Sequence, residues 1–301
     1  MASFEAAPFH QEMIDSWRIA LSAERKSAET IRNYMRGMRY YAAWCTEHGR
    51  QLTLERRTFE AYLADLVEEG RLSASTIALR HMAVRRFSAW LADEDEITDP
   101  LLAVKSPKLD EKVVLPLAAE ELAALIAACR GVSFLDRRDE AVVRLMAESG
   151  PRASDLLSMT VAGTSVTAGT AVVMGKGSKE RILGYGPQTA RALDRYLRMR
   201  RTHRLATETD AFWLGENGKT FGYNGLYAAM IRRSQAAGIP GFHPHRLRHT
   251  FTDRWLDRGG SEGGLMAVAG WSSRKMVDRY SKARQAQRAL DESKRLNLGE
   301  F

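Results

Sequence analysis

One window of this 301-residue chain, between Met159 and Gly186, breaks an otherwise helical pattern. In it Ser165-Val166-Thr167, Ala171-Val172-Val173-Met174 and Arg181-Ile182-Leu183 are short runs of β-prone residues. Ala168-Gly169 separates the first two runs, and Gly175-Lys176-Gly177-Ser178-Lys179-Glu180 the last two. This spacing predicts a three-stranded antiparallel sheet whose second hairpin has a glycine- and lysine-rich tip. The expected fold class is mainly α with a small antiparallel β-sheet.

Upstream of the window everything reads as helix. Ile31, Tyr34, Met35, Met38, Tyr41 and Cys45 recur at three- and four-residue steps and make one apolar stripe, with Arg32, Arg36 and Arg39 off it. Gly49 stands where such a helix would end. A second helix is expected over 58–69, stopping at Gly70. A third starts at the Ser73-Ala74-Ser75 cap and turns Ile77, Val84, Phe87 and Leu91 inward, leaving Arg80, Arg85 and Arg86 as its basic residues. Residues 1–104 are thus expected to form an all-helical domain. Residues 105–114 are polar, contain Pro107 and lack a helical period, which suits an interdomain linker. Residues 115–301 form the second domain: helices from near Ala119 to Cys129 and from about Asp136 to Ser149, then the sheet, then helices after Pro187.

The formal net charge is +8, and it is unevenly spread. Residues 1–110 hold 15 Lys and Arg against 17 Asp and Glu, whereas residues 111–301 hold 30 against 20. The tightest grip on a polyanion such as a phosphate backbone is therefore expected in the second domain. Cys45 and Cys129 lie far apart without metal-type spacing, as in a reducing cytosol. No stretch approaches the ~18 apolar residues of a membrane span. The opening MASFEAAPFHQEM has neither the basic nor the apolar region of a secretion signal. A cytoplasmic protein with no membrane partner is expected.

Five places could carry chemistry. In Ser149-Gly150-Pro151-Arg152-Ala153-Ser154-Asp155, Gly and Pro break one helix, Ser149 or Ser154 can cap the next, and Arg152 sits in the turn. Lys176 and Lys179 lie on the hairpin tip, where an ammonium can swing onto a phosphate; the tip lacks the GxxxxGK[ST] of a P-loop. In Phe242-His243-Pro244-His245-Arg246-Leu247-Arg248-His249, Pro244 suits a first helical turn and places His245 and Arg248 on one face, with Leu247, Phe251 and Trp255 on the buried one. Such a pair supplies a bidentate clamp and a proton carrier for one anion. His243, His245 and His249 are close, but zinc would need carboxylate or thiolate partners at workable spacing, and none is nearby. Ala269-Gly270-Trp271-Ser272-Ser273 offers an indole N–H and a serine cap. Tyr280 lies among Arg274, Lys275, Arg279 and Lys282. Taken singly, each has an ordinary structural explanation.

Their order resembles the active-site series of the tyrosine recombinases, the integrase family: Arg, Lys, His-x-x-Arg, His or Trp, and Tyr. The stretch 149–155 resembles the family's TGLR-[IV]-S-E motif and 175–181 its GKGxKxR hairpin, while 245–249 matches HxLRH and 270–280 matches G-[HW]-x8-Y. Ser27-Ala28-Glu29-Thr30-Ile31-Arg32-Asn33-Tyr34 and Phe87-Ser88-Ala89-Trp90-Leu91 are similar to its core-binding region, so the likeness covers nearly the whole chain. Pro151 stands in place of the usual Leu, Asp155 in place of Glu, and Trp271 where His is commoner.

The resemblance implies a helical, SAM-like core-binding domain followed by a mixed α/β catalytic domain, in a simple Xer-like or small phage integrase architecture without an arm-binding domain. It implies a site-specific recombinase in which Tyr280 attacks a DNA phosphate and leaves a 3′-phosphotyrosyl link. Arg152 and Arg248 would clamp the non-bridging oxygens, Trp271 would donate a further hydrogen bond, His245 would handle the tyrosine proton, and Lys176, or alternatively Lys179, would protonate the departing oxygen. Two guanidiniums supply the neutralisation a metal gives elsewhere, so no cofactor is expected. Expected partners are a double-stranded recombination site and three further copies of the chain in a tetramer on DNA, with room for an accessory directionality factor. Two alternatives stay open: a type IB topoisomerase-like enzyme and a catalytically silent DNA-binding regulator.

Overall fold

The computed structural model describes residues 11–108, 114–175, 180–216, 218–271, 273, 274, 277 and 285–297. The chain divides into two compact units, Met1–Lys112 and Val113–Phe301. Residues 109–113, within the segment read as a linker, lie outside the described residues.

The first unit is a helical bundle of α1 (Gln11–Ala23), α2 (Ala28–Glu47), α3 (Arg56–Glu68) and α4 (Ala74–Glu94). Its core is aromatic: Trp17, Tyr41, Phe59, Tyr62 and Phe87 are buried with Met38. The expected stripe on α2 faces inward at Met35, Met38, Tyr41 and Cys45, while Arg32, Arg36 and Arg39 are exposed. Helices α2 and α4 cross closely because Gly37 has no side chain; a Cβ there would stand 2.3 Å from the Cβ of Ala83. Serines open both long helices, since the Ser27 and Ser73 side chains accept the Thr30 and Thr76 N–H groups at 3.1 and 3.2 Å. The segment after α4 is fastened by Asp99, whose carboxylate accepts from Arg85 at 2.6 Å, from the Leu101 N–H at 2.9 Å and from Ser88.

The second unit is built around α6 (Phe134–Ser149), which is buried over most of its length. It packs against α5 (Ala119–Ala127), α8 (Pro187–Arg200), α9 (Tyr223–Ala236) and α10 (His245–Asp257). The fully buried Asp139 ties α6 to α9, accepting from Arg138 at 2.7 Å and from Arg233 at 2.8 Å. Such a buried carboxylate is tolerable only when paired in this way. Between α7 (Ala153–Leu157) and α8 lies the predicted antiparallel sheet, in the order β1 (Thr164–Ser165), β2 (Thr170–Met174), β3 (Glu180–Gly184). The first strand is shorter than its β-prone run. The chain turns over 166–169, so only Thr164 and Ser165 pair with β2, and the Ser165 hydroxyl accepts the Ala168 N–H at 3.2 Å inside the turn. Helices α11 (Glu262–Ala269) and α12 (Gln285–Leu296) close the described chain. No helix among the described residues is long and apolar enough to cross a membrane.

Candidate active site

Gly150 ends α6 in the left-handed region, at φ 59°, and throws the chain back toward the interior. A Cβ at this position would lie 2.2 Å from the Phe251 ring, so glycine is required both by the backbone and by the close ring. Two residues later Arg152 is the N-cap of α7. The cap differs from the expected one. Neither Ser149 nor Ser154 closes the helix: Ser149 donates its hydroxyl to the Gly184 carbonyl at 2.6 Å, and Asp155 reaches back to accept the Arg152 N–H at 3.1 Å. A carboxylate at the third helical position meets that N–H as a serine hydroxyl would, and it also favours the positive end of the helix. We expect Gly150→Ala to lower the melting temperature. The left-handed backbone alone costs about 1–2 kcal/mol for a residue with a Cβ, and the Phe251 ring must move; an unchanged thermal melt would contradict this.

The last turn of α11 organises the rest of the site. A helix ends with orphan carbonyls carrying partial negative charge. Those of Met266 and Ala267 are met by backbone N–H groups of the left-handed turn at Gly270, φ 63°. The next three are each met by a guanidinium. Arg181 donates to the Val268 carbonyl, Arg248 to that of Ala269 at 2.7 Å, and Arg152 to that of Gly270 at 3.1 Å. Arg248 also donates to the Gly150 carbonyl at 2.6 Å and lies 5.2 Å from the centroid of the Trp271 ring. Residues up to 118 positions apart in the chain are thereby gathered on one helix end.

The burial of these groups differs. Arg248 is 1% exposed, whereas the Arg152 side chain is 33% exposed. Trp271 is 6% exposed and packs in a small core with Phe251, Leu265, Ala269 and Val277. His245 opens α10 at the surface, and its ring meets that of His249 edge-on at 5.0 Å. The helix follows Pro244 as its N-cap and buries Leu247 and Phe251 as the spacing predicted, while Trp255, expected on the same face, is only half-buried. Burial pushes the His243 ring below its ordinary value, helped by the charge of Arg246. Among the described residues no group of three or more His, Cys, Asp and Glu is placed to hold a metal.

Lys176, Lys179, Ser272 and Tyr280 lie outside the described residues. Of the predicted site, then, Arg152, Arg248 and Trp271 come together around the end of α11, and His245 lies three residues before Arg248 on α10. Arg181 joins them although it had been given no chemical task. Its signal was present in the strand: Arg181 and Leu183 share a face of β3, and Leu183 is fully buried while Ile182 is 64% exposed. A cation on the inward face of a strand calls for a buried partner, and Asp155 is that partner at 2.6 Å. Burial pushes the Arg181 guanidinium below its ordinary value, with Asp155 opposing the shift and Arg152 adding to it. A cleft of about 490 Å³ lies elsewhere, lined by Leu122, Ile126, Phe251 and Trp255. Arg152, Arg181 and Arg248 are not among its lining residues.

The phage integrase family matches residues 116–287, and the family described as phage integrase, N-terminal SAM-like domain, matches residues 14–95. Tyrosine recombinase XerC of Corynebacterium efficiens is 30% identical over 270 residues, covering 88% of this chain and 84% of that protein. Tyrosine recombinase XerD of Halalkalibacterium halodurans is 27% identical over 250 residues, covering 81% of this chain and 83% of that protein. Among solved structures, XerH site-specific recombinase bound to palindromic difH substrate superposes with a TM-score of 0.71 at 17% identity, over 91% of this chain and 82% of that one. A lambda integrase tetramer bound to a Holliday junction does so with a TM-score of 0.69 at 17% identity, over 92% of this chain and 78% of that one. These structural likenesses bear on the fold, which matches the expected helical SAM-like domain and mixed catalytic domain.

Proposed function

The chain belongs to the phage integrase family and is a tyrosine recombinase, a site-specific enzyme that cuts and rejoins DNA, and on that premise we propose how its own residues carry the reaction. The Tyr280 oxygen attacks the scissile phosphorus in line, the bond to the 5′ oxygen breaks, and a 3′-phosphotyrosyl link and a 5′-hydroxyl result. His245 takes the phenol proton. Lys176 gives a proton to the leaving oxygen, with Lys179 the alternative donor on the same tip. Arg152, Arg248 and Trp271 face the non-bridging oxygens, where charge builds in the transition state. A planar guanidinium can clamp an oxyanion with paired N–H donors, which is the task proposed for Arg248. The phosphotyrosine retains the bond energy, and attack by a 5′-hydroxyl of a partner duplex rejoins the strands.

One observation carries this reading: Arg152 and Arg248 are held on consecutive carbonyls at the end of α11, which concentrates positive charge in one place. The partner is a double-stranded recombination site gripped by a tetramer of the chain, with residues 105–114 as the tether between a DNA-binding domain over 1–104 and the catalytic domain over 115–301. An accessory factor that sets direction, and a cytoplasmic location, belong to the same proposal. Sequencing the DNA ends covalently bound to the protein tests it. A single site cut with a fixed stagger, linked through Tyr280, is the expected result. Recovery of no linked DNA would favour a silent regulator, and relaxation of a plasmid lacking paired sites would favour a topoisomerase.

A further inference from the structure

Arg181 and Arg152 stand on either side of one carboxylate. Asp155 is 1% exposed, and its Oδ2 accepts from the Arg181 guanidinium at 2.6 Å and from the Arg152 N–H at 3.1 Å. The Arg152 guanidinium itself stays 3.9 Å from that oxygen and is turned to the Gly270 carbonyl instead. The other carboxylate oxygen, Oδ1, is buried without a hydrogen-bond partner among the described residues. A buried carboxylate needs a counter-charge, and attraction is poorly screened there. With Arg181 removed, the nearest cation is Arg152. Asp155 would draw it inward, off the Gly270 carbonyl and away from the third of its side chain now exposed.

We infer that Arg181 is a positioning residue: as the close counter-ion of Asp155 it keeps the Arg152 guanidinium at the 3.9 Å edge of that ion pair rather than hydrogen-bonded to the carboxylate, and so available to a phosphate. Its second contact, to the Val268 carbonyl, fixes the guanidinium beside the helix end that also holds Arg152 and Arg248. This rests on the reading of Arg152 as a phosphate clamp. It makes the charge of Arg181, rather than its bulk, the property that matters, and it gives Asp155 opposite effects with and without its partner.

The test is a charge-removal cycle, read as the rate of covalent complex formation on a nicked DNA substrate, with DNA affinity and thermal melts recorded alongside. Arg181→Gln is expected to slow the step about 10²-fold, the scale of a misplaced clamp, with DNA affinity changed only a few-fold. Adding Asp155→Asn removes the charge that traps Arg152 and is expected to recover at least about 10-fold of that loss. Arg181→Lys, which keeps the charge, is expected to stay within about 10-fold of the parent rate. A double variant no faster than Arg181→Gln would overturn the inference. Should Arg181→Gln fail to fold, a folded Arg181→Lys as slow as Arg152→Ala would overturn it equally. Arg152→Ala separates the two levels. If it leaves the rate unchanged, the reading of Arg152 falls and this inference with it; if it is slow while the cycle shows no recovery, only the inference falls.

Discussion

Tyr280→Phe is expected to abolish the covalent protein–DNA complex on a nicked suicide substrate while leaving the affinity for the same DNA unchanged. The effect should be total because, in the proposed mechanism, the missing oxygen is the atom that bonds phosphorus; no neighbouring group can take over a covalent link as it might a hydrogen bond. The informative control is another tyrosine. Tyr41 is fully buried in the first unit, its hydroxyl donates to the Thr53 carbonyl at 2.7 Å, and burial drives its phenol far above the ordinary value. Burial also pushes Tyr62 and Tyr185 up to about 12. Nucleophilic attack needs the phenolate, so these environments work against it. Tyr41→Phe should therefore lose a little stability and keep the covalent complex. A complex that survives Tyr280→Phe would refute the assignment of the nucleophile.

Arg248→Ala is expected to reduce covalent complex formation by roughly 10³-fold and to lower the melting temperature as well. The catalytic loss follows from the role proposed for Arg248: removing a fixed, desolvated donor to developing charge has an effect on the order of 10²–10³ for a single donor. The stability loss follows from the Gly150 and Ala269 carbonyls, which now receive charged donors at 2.6 and 2.7 Å in a buried setting. Hydrogen bonds to charged groups contribute about 1.5–3 kcal/mol each. Arg248→Lys should recover little of either loss, because a compact ammonium lacks the planar fork that here donates to both carbonyls and lies near Trp271. Full cleavage by a folded Arg248→Ala would remove Arg248 from the clamp.

Long helices were legible in the sequence because their cores are periodic and their ends marked: the stripe on α2, the Ser73 cap and Gly49, at φ 60°, all behave as local rules require. The sheet was legible as to location and order. Its first strand was overextended because β propensity at Val166 and Thr167 says nothing about where a turn closes. The cap before α7 was misread for a related reason. Serine, the favoured N-cap, was sought beside the helix start, whereas the oxygen comes from Asp155 inside the first turn. His245 and Arg248 could be placed by helical spacing alone. That Arg248 is nearly inaccessible while Arg152 is partly exposed could not, since burial depends on Gly150, Ala269 and Trp271, which approach from other parts of the chain. Arg181 follows the inward register of Leu183 on β3, but its partner Asp155 comes from another element, so the pairing could not be read from the strand alone.

The three guanidiniums on α11 read main-chain oxygens, and main-chain oxygens are the same whatever side chains accompany them. Substitutions at Val268 should therefore matter only through packing, while inserting or deleting one residue between Leu265 and Gly270 would offer each arginine its neighbour's acceptor. This segment should tolerate drift in spelling but not in length, a pattern to look for when the chain is shuffled or randomised.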